Sequence, residues 1–482
     1  MNHSVLLKSS VLLVAAAFSL PASASGYHFG TQSVSSQAAA NSSAAEAADP
    51  STLFYNPAGL TQLEGTQATV NVNLVMPSVK YSDAKAYYPG RPGSQESVKG
   101  QASGSIEPGD VVVAPHIYAS HKLNDRWSLG LGAYVPFGSG TEYQRDSVLR
   151  YNLNELGLKT MALQPTVAFK INDNHSVAVG LIAQRTEANL RQYANFGPAL
   201  AARGIGIGSG NGNADGYAQV KGDDWGFGYN LAWLWNINDA ARLGVNYRSA
   251  IRHTLQGEAE WHLDGGLFNR RVIGPQAQRG IRRAGYVERE DANVKITTPE
   301  SLSVHGMYKI SPRWSLFGDL TWTRHSRFNR VELNFANNKL VANPQTGGTT
   351  QSKQTILTPE WRDTWKVGLG AAYQISDPLQ LRFGWAYDQS PVKSPDLRMS
   401  TLPDANRMWF SVGAKYDINP HHTLNAAYSY LHIQKSSANV NGWCGGTAAG
   451  AGSQACVSSR TNGSANFKSH AHILGLQYTY KF

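Results

Sequence analysis

The sequence predicts an all-β transmembrane fold: a 14-stranded antiparallel β-barrel of the outer-membrane type, carrying a small, mostly helical N-terminal hatch in its lumen. Three observations predict it. One short turn recurs six times, runs of period-two alternation flank the copies, and beyond residue 24 no apolar stretch approaches the ~18 residues of a membrane helix. The turns are KLNDRWSL (122–129), KINDNHSV (170–177), NINDAARL (236–243), KISPRWSL (309–316), QISDPLQL (374–381) and DINPHHTL (417–424). Each has Leu or Ile, then Asn or Ser, then a residue drawn from Asp and Pro, which suits a tight hairpin. The connections on the far side are long and irregular, and short turns at one rim with long loops at the other are the pattern of a bacterial outer-membrane barrel.

In chain order, Lys8, the apolar run Val11 to Leu20 and Ala22-Ser23-Ala24 read as a cleaved secretory signal over 1–24. Residues 25–65 lack strand alternation. An Ala/Ser-rich stretch, Ser33 to Ala48, favours helix, and Asn56-Pro57 followed by Gly59 breaks it. A disordered linker is one reading of this segment. Its apolar residues Leu53, Phe54, Tyr55 and Leu60, tied to the start of the first strand, favour a plug folded into the lumen.

Residues 66–482 form the barrel. Two strands per turn give twelve, and one before the first hairpin (about 66–80) and one at the C-terminus (about 464–482) complete an even number, with both chain ends at the short-turn rim. Alternation sets the faces. Trp225, Phe227, Tyr229, Leu231, Trp233 and Trp235 share one face of their strand, Met408, Phe410, Val412 and Tyr416 one face of another, and Leu474, Leu476, Tyr478, Tyr480 and Phe482 one face of the last. A β-propeller would repeat at a constant period, whereas these separations vary.

Composition sets further bounds. A mean hydropathy of −0.34 agrees with strands that alternate lipid-facing and lumen-facing residues, and also with a soluble, secreted β protein. The formal charge is +10, but export argues against a nucleic-acid partner. Six arginines, Arg270, Arg271, Arg279, Arg282, Arg283 and Arg289, fall in one predicted outer loop, either as a solvated face or as an attraction for anionic outer-membrane lipid and lipopolysaccharide. The two cysteines, Cys444 and Cys456, lie in a Gly/Ala/Ser-rich stretch and are expected to close a loop disulfide worth about 2–3 kcal/mol. No cofactor and no metal site is expected. No Gly-x-Ser-x-Gly elbow occurs, which weighs against an outer-membrane lipase, so no catalytic residue is assigned.

Several motifs then resemble one family in order along the chain: Asn56-Pro57-Ala58, Trp225-Gly226-Phe227-Gly228-Tyr229-Asn230, Asn246-Tyr247-Arg248-Ser249, Asp388-Gln389-Ser390-Pro391-Val392 and Pro403-Asp404 through Arg407-Met408-Trp409. They are similar to the FadL family of outer-membrane long-chain fatty acid transporters, across essentially the whole mature chain. The resemblance implies a non-enzymatic, monomeric channel for passive uptake, with Phe54, Asn56, Pro57 and Ala58 in the hatch motif. It implies an apolar capture groove in loops 139–158 and 194–217, where Leu149, Leu153, Leu156, Phe196, Leu200, Ile205 and Ile207 are the candidates, with ordinary loop packing as the competing reading. The parity of Trp361, Trp365, Val367 and Leu369 turns Arg362 and Lys366 inward, and Arg248, Arg382 and Arg407 also face the lumen. The pocket cation the resemblance implies is Arg362; a second family arginine aligns with Gln192, beside Arg191. Pro136, Phe137, Gly138 and Gly140 occupy the place of a third-strand kink that would open a lateral exit, with simple strand termination as the competing reading. The terminal Phe482 is similar to the signal read by the barrel assembly machinery. The same scaffold also suits other hydrophobic compounds such as aromatic hydrocarbons, and a general porin would need neither hatch nor groove.

Overall fold

The computed structural model describes residues 30–88, 96–107, 109, 111–201, 203–205, 212–343, 348–440 and 462–482. The signal segment, Ile207, Cys444 and Cys456 lie outside the described residues.

The described strands close into one antiparallel barrel of 14. They are β1 (Thr66–Tyr88), β2 (Val112–Lys122), β3 (Trp127–Tyr134, resuming at Gly138–Glu142), β4 (Leu153–Lys170), β5 (His175–Asn195), β6 (Asp215–Asn236) and β7 (Ala241–Arg248 with Ile251–Leu263). Then follow β8 (Arg289–Thr298 with Ser301–Lys309), β9 (Trp314–Thr323 with Val331–Asn343), β10 (Gly348–Leu357 with Thr364–Ser376), β11 (Leu379–Asp388), β12 (Arg407–Asn419), β13 (His422–Ile433 with Ser436–Val440) and β14 (Asn462–Lys481). Closure is made by β1 against β14, paired from Gln67 opposite Lys481 to Tyr87 opposite Asn462 with a bulge between Ser82 and Lys85.

The repeated turns hold by one device. Asn124 Oδ1 accepts the backbone N–H groups of Arg126 and Trp127 at 2.9 and 3.0 Å, and Asn172, Asn238 and Asn419 do the same in their own turns. Ser311 Oγ plays that part in the fourth. A short polar side chain that satisfies the turn's own donors explains why Asn or Ser recurs at that place.

Alternation partitions the wall as expected. Phe227, Leu181 and Leu476 are exposed on the outer face, while Asn71, Gln164, Asn230 and Gln477 are fully buried on the inner one. Into this polar lumen folds the segment 30–63. It holds two short helices, α1 (Val34–Gln37) and α2 (Thr52–Tyr55), and 3₁₀ turns at Ala44–Glu46 and Pro57–Gln62. The Ala-rich stretch does not run on as helix, because Ala40, Asn41 and Ala47 take left-handed backbone conformations. Its freed backbone groups are satisfied by the barrel instead: Gln477 Oε1 accepts from Val34 N and Ser35 N, each at 3.0 Å.

Two inward glycines show how closely the segment seats. A Cβ at Gly130 of β3 would lie 2.7 Å from Leu53 Cδ1 and from Leu60 Cδ1. One at Gly384 of β11 would collide with the Ala39 backbone. Above the lumen the loops are more ordered than the sequence suggests. β3, β4, β5 and β6 continue into the predicted loops 139–158 and 194–217, which shortens them. The arginine-rich loop contains an 11-residue helix, Ile273–Arg283 (α4, after α3 at Gly197–Ala201).

Gly384→Val should unseat Ala39 at a cost of about 1–3 kcal/mol, as overpacking does. In planar bilayers the variant is expected to conduct small ions steadily while the parent protein stays closed. A closed variant would contradict this seating.

Candidate functional site

The ladder between β2 and β3 runs only from Lys122 opposite Ser128 to Ile117 opposite Ala133. Beyond it, Val112 to His116 pair with β1 alone, and β3 resumes at Gly138 paired with β4 alone. Residues 135–137 therefore interrupt the wall, where Pro136 has no N–H to give. Outward alternation ends at Leu131, and Tyr134 through Ser139 are all buried. The freed backbone groups find side chains. Val135 N donates to His116 Nδ1 at 3.3 Å, Phe137 N to Thr160 Oγ1 at 2.8 Å, and Val135 O accepts from Gln32 Nε2 at 2.8 Å. Gln32 belongs to the N-terminal segment, and its own carbonyl accepts from Tyr118 OH at 3.0 Å. The break is thus tied directly to the lumenal segment.

Behind the break lies an internal cavity of about 110 Å³. Gly30, Asn41, Phe54 and Tyr55 line it from the N-terminal segment, Pro136 and Phe137 from the break, and Ile182 and Ile251 from the wall. Arg248 of β7 and Lys366 of β10 supply positive charge, and Asp319 of β9 one negative. Neither cation makes an ion pair among the described residues. The Arg248 guanidinium lies 4.4 Å from the Phe54 ring centroid, donates to Gln164 Oε1 at 3.1 Å and reaches Tyr134 OH. Lys366 Nζ stands 5.5 Å from the Trp409 ring. Burial pushes the Tyr55 phenol up to about 12, so it stays protonated and donates to Asn41 Oδ1 at 3.1 Å.

Asn56 is the keystone of the Asn-Pro-Ala motif. Its Oδ1 accepts from Ala58 N at 3.1 Å, capping the turn that Pro57 begins. Its Nδ2 donates to Trp233 O at 3.1 Å and lies 2.8 Å from His305 Nε2. Phe54 packs edge-on to Tyr134 at 5.1 Å. A second anchor was not anticipated from sequence: Arg382 of β11 holds Glu46 in a bidentate ion pair at 2.7 and 2.8 Å, and Arg242 donates to the Glu46 carbonyl at 2.7 Å. Inward parity marked Arg382, but nothing local marked Glu46 as its partner.

Three expectations need correction. Arg362 does not lie on a strand facing the inner cavity. Residues 358–363 leave the β10 ladder, Trp361 tucks in against Phe328, and Arg362 Nε donates to Ser390 O at 3.1 Å beside a separate outer cavity. Arg191 is buried between Glu142 and Glu155, at 2.9 and 2.8 Å, so its charge is already compensated. The loop residues do not form an exposed groove. Leu149 and Leu153 are buried with Tyr143, Trp361 and Phe467, and Leu156 packs against them. Phe196, Leu200 and Ile205 belong to another core with Trp261, Ile281 and Tyr286. Helix α4 supplies Ile281 over the second set, and loop 389–406 supplies Val392 and Leu397 to the first, which is how both are closed from solvent. Phe137 joins the first loop core to the inner cavity.

Removing one partner of the Arg382–Glu46 pair should loosen the segment. A buried pair broken on one side costs about 3–5 kcal/mol, less here because Glu46 is partly exposed. Cleavage within residues 30–63 by added protease is expected to rise in Arg382→Met and to fall back toward parent in Arg382→Met with Glu46→Gln. Equal rates in all three proteins would remove the anchor role.

The family model described as "Outer membrane protein transport protein (OMPP1/FadL/TodX)" matches residues 15–482. An outer membrane protein of Neisseria meningitidis is 51% identical over 99% of both chains. The long-chain fatty acid transport protein of Escherichia coli is 25% identical, over 90% of this chain and 93% of its own. Two solved structures share the fold. A Pseudomonas aeruginosa FadL homologue has a TM-score of 0.77 at 24% identity, covering 95% of this chain and all of its own. The Ralstonia pickettii toluene transporter TbuX has a TM-score of 0.63 at 16% identity, covering 94% and 99%.

Proposed function

Because the chain belongs to the OMPP1/FadL/TodX family of outer-membrane transport proteins, we propose that it takes up long-chain fatty acids passively, releasing them sideways through the broken third strand. One observation carries this reading: the N-terminal segment, the interrupted wall and two cations with no ion pair among the described residues line a single cavity. A carboxylate needs a desolvated cation, and Arg248 and Lys366 offer two. The tail, about 0.8 kcal/mol per methylene on leaving water, needs an apolar path. Phe54, Phe137, Ile182 and Ile251 begin one.

The size of the cavity sets the mechanism. Sites that enclose a ligand of this size hold roughly 300–1,000 Å³, and this one holds about 110 Å³. A long-chain acid fits only if residues 30–63 act as a hatch and move. Gln32 bonds to Val135, so a shift of the hatch also frees the backbone at the break. Binding then couples to opening, and the ligand leaves between β2 and β3 into the bilayer with no energy input. Entry passes Phe137, where the outer loop core meets the cavity. The Cys444–Cys456 bond, the signal segment and the Phe482 assembly signal remain part of this reading.

A second reading, import of a neutral monoaromatic compound, needs less enlargement, since an apolar cavity of about 150 Å³ holds benzene and this one holds about 110 Å³. The two differ in their need for charge. Arg248→Gln with Lys366→Gln should lower oleate uptake about 10–100-fold, the value of one charged hydrogen bond at about 1.5–3 kcal/mol, and leave toluene uptake unchanged. Unchanged oleate uptake would exclude the acid reading at this cavity.

A further inference from the structure

A second, larger cavity, about 1080 Å³, opens at the outer rim above the short strands β11 and β12. Lys80, Arg362, Lys393, Arg398, Lys435 and Lys468 line it, and its lining contains no Asp or Glu. The two arginines are partly occupied: Arg362 donates to Ser390 O and Arg398 to Asp404 O at 3.0 Å. None of the four lysines makes an ion pair among the described residues. The nearby acids are already engaged: Asp83 accepts from Ser82 and Asn466 at the cavity edge, and Glu107 from the N–H groups of Val79 and Ile106.

Lys80 and Lys468 stand directly opposite each other on β1 and β14. Like charges in that position are destabilising, and no Asp or Glu among the described residues pairs with either. Both point outward, on the parity of the lipid-facing Leu74 and Leu474. Between the apolar band and the lysines on β14 come His472 and His470. Their rings lie 5.3 and 6.2 Å from Tyr430, forming the interfacial aromatic belt. The cavity therefore sits just beyond the hydrocarbon, at the level of the outer-leaflet headgroups.

We propose that this cavity binds the phosphorylated sugar headgroup of the outer-leaflet glycolipid, lipopolysaccharide. The charge count selects it over a fatty acid. One carboxylate would neutralise one of six cations, whereas each phosphate monoester carries about −1.5 to −2 at neutral pH and a bisphosphorylated headgroup presents two. Phospholipid headgroups carry one phosphate and would leave most of the cavity charge uncompensated. The inference rests on the barrel's orientation in the membrane and is independent of the transported substrate.

The test uses the full-length protein in detergent, probed by native mass spectrometry with bisphosphoryl lipid A, dephosphorylated lipid A and phosphatidylglycerol. Bisphosphoryl lipid A should bind at least 10-fold more tightly than the other two. Lys80→Gln with Lys435→Gln and Lys468→Gln should abolish that preference, Lys80→Arg with Lys468→Arg should keep it, and oleate uptake should be unchanged in both. Equal binding of the three lipids to the parent protein, or an undiminished preference in the Gln variant, would overturn the site. Loss of oleate uptake with lipid A binding intact would overturn it in favour of a fatty acid vestibule.

Discussion

A backbone that crosses a bilayer must satisfy every N–H and C=O it carries, and a barrel does so by closing its ladder. This chain breaks that ladder beside β3 and repairs it there with side chains. His116 and Thr160 come from the neighbouring strands, and Gln32 comes from the lumen. The repair makes the integrity of the wall depend on the position of the N-terminal segment. A buried carbonyl left without its donor costs about 1–3 kcal/mol, so withdrawal of Gln32 shifts the balance toward a different local arrangement at Val135.

The rest of the lumen reinforces that dependence. Residues 30–63 carry little regular helix, and much of their hydrogen bonding is to the barrel. Gln477 takes two of their N–H groups, Gln37 Oε1 accepts from Asn73 at 2.7 Å, and Asn56 reaches strands β6 and β8. Glycines on β3 and β11 leave hollows that Leu53, Leu60 and Ala39 occupy. The contact mixes polar bonds with apolar packing, as where Leu53 and Leu60 meet Tyr118, Tyr134 and Ile182. A segment held this way can be displaced by a ligand that makes competing contacts, whereas a purely apolar core resists such exchange.

The barrel was legible in the sequence because two signals repeat. Asn or Ser caps five of the six short turns, and side chains on each strand alternate faces, so strand number, closure and orientation follow from local residues. The Asn56-Pro57-Ala58 turn and the Pro136 interruption were legible for the same reason, since each is a local backbone effect. The site was less so. Inward parity placed Lys366 and Arg248 in the lumen, but Arg362 lies where the chain leaves its strand, and no alternation marks that departure. Leu149 and Leu200 carry apolar side chains in loops. Whether such residues are exposed for capture or packed in a core depends on what the distant helix α4 and loop 389–406 lay over them, which their own neighbourhoods do not encode.

The most direct measurement is of the gap itself. Ala114 of β2 and Val135 at the break lie in one small apolar cluster on either side of the interrupted ladder. With Ala114→Cys and Val135→Cys introduced into a chain whose own cysteines are replaced by Ser, a short bis-methanethiosulfonate would join β2 to the break through two disulfides, releasing methanesulfinate. Oleate uptake should stop on crosslinking and return when a cleavable linker is cut. Full uptake through the joined protein would show that the ligand leaves by another route.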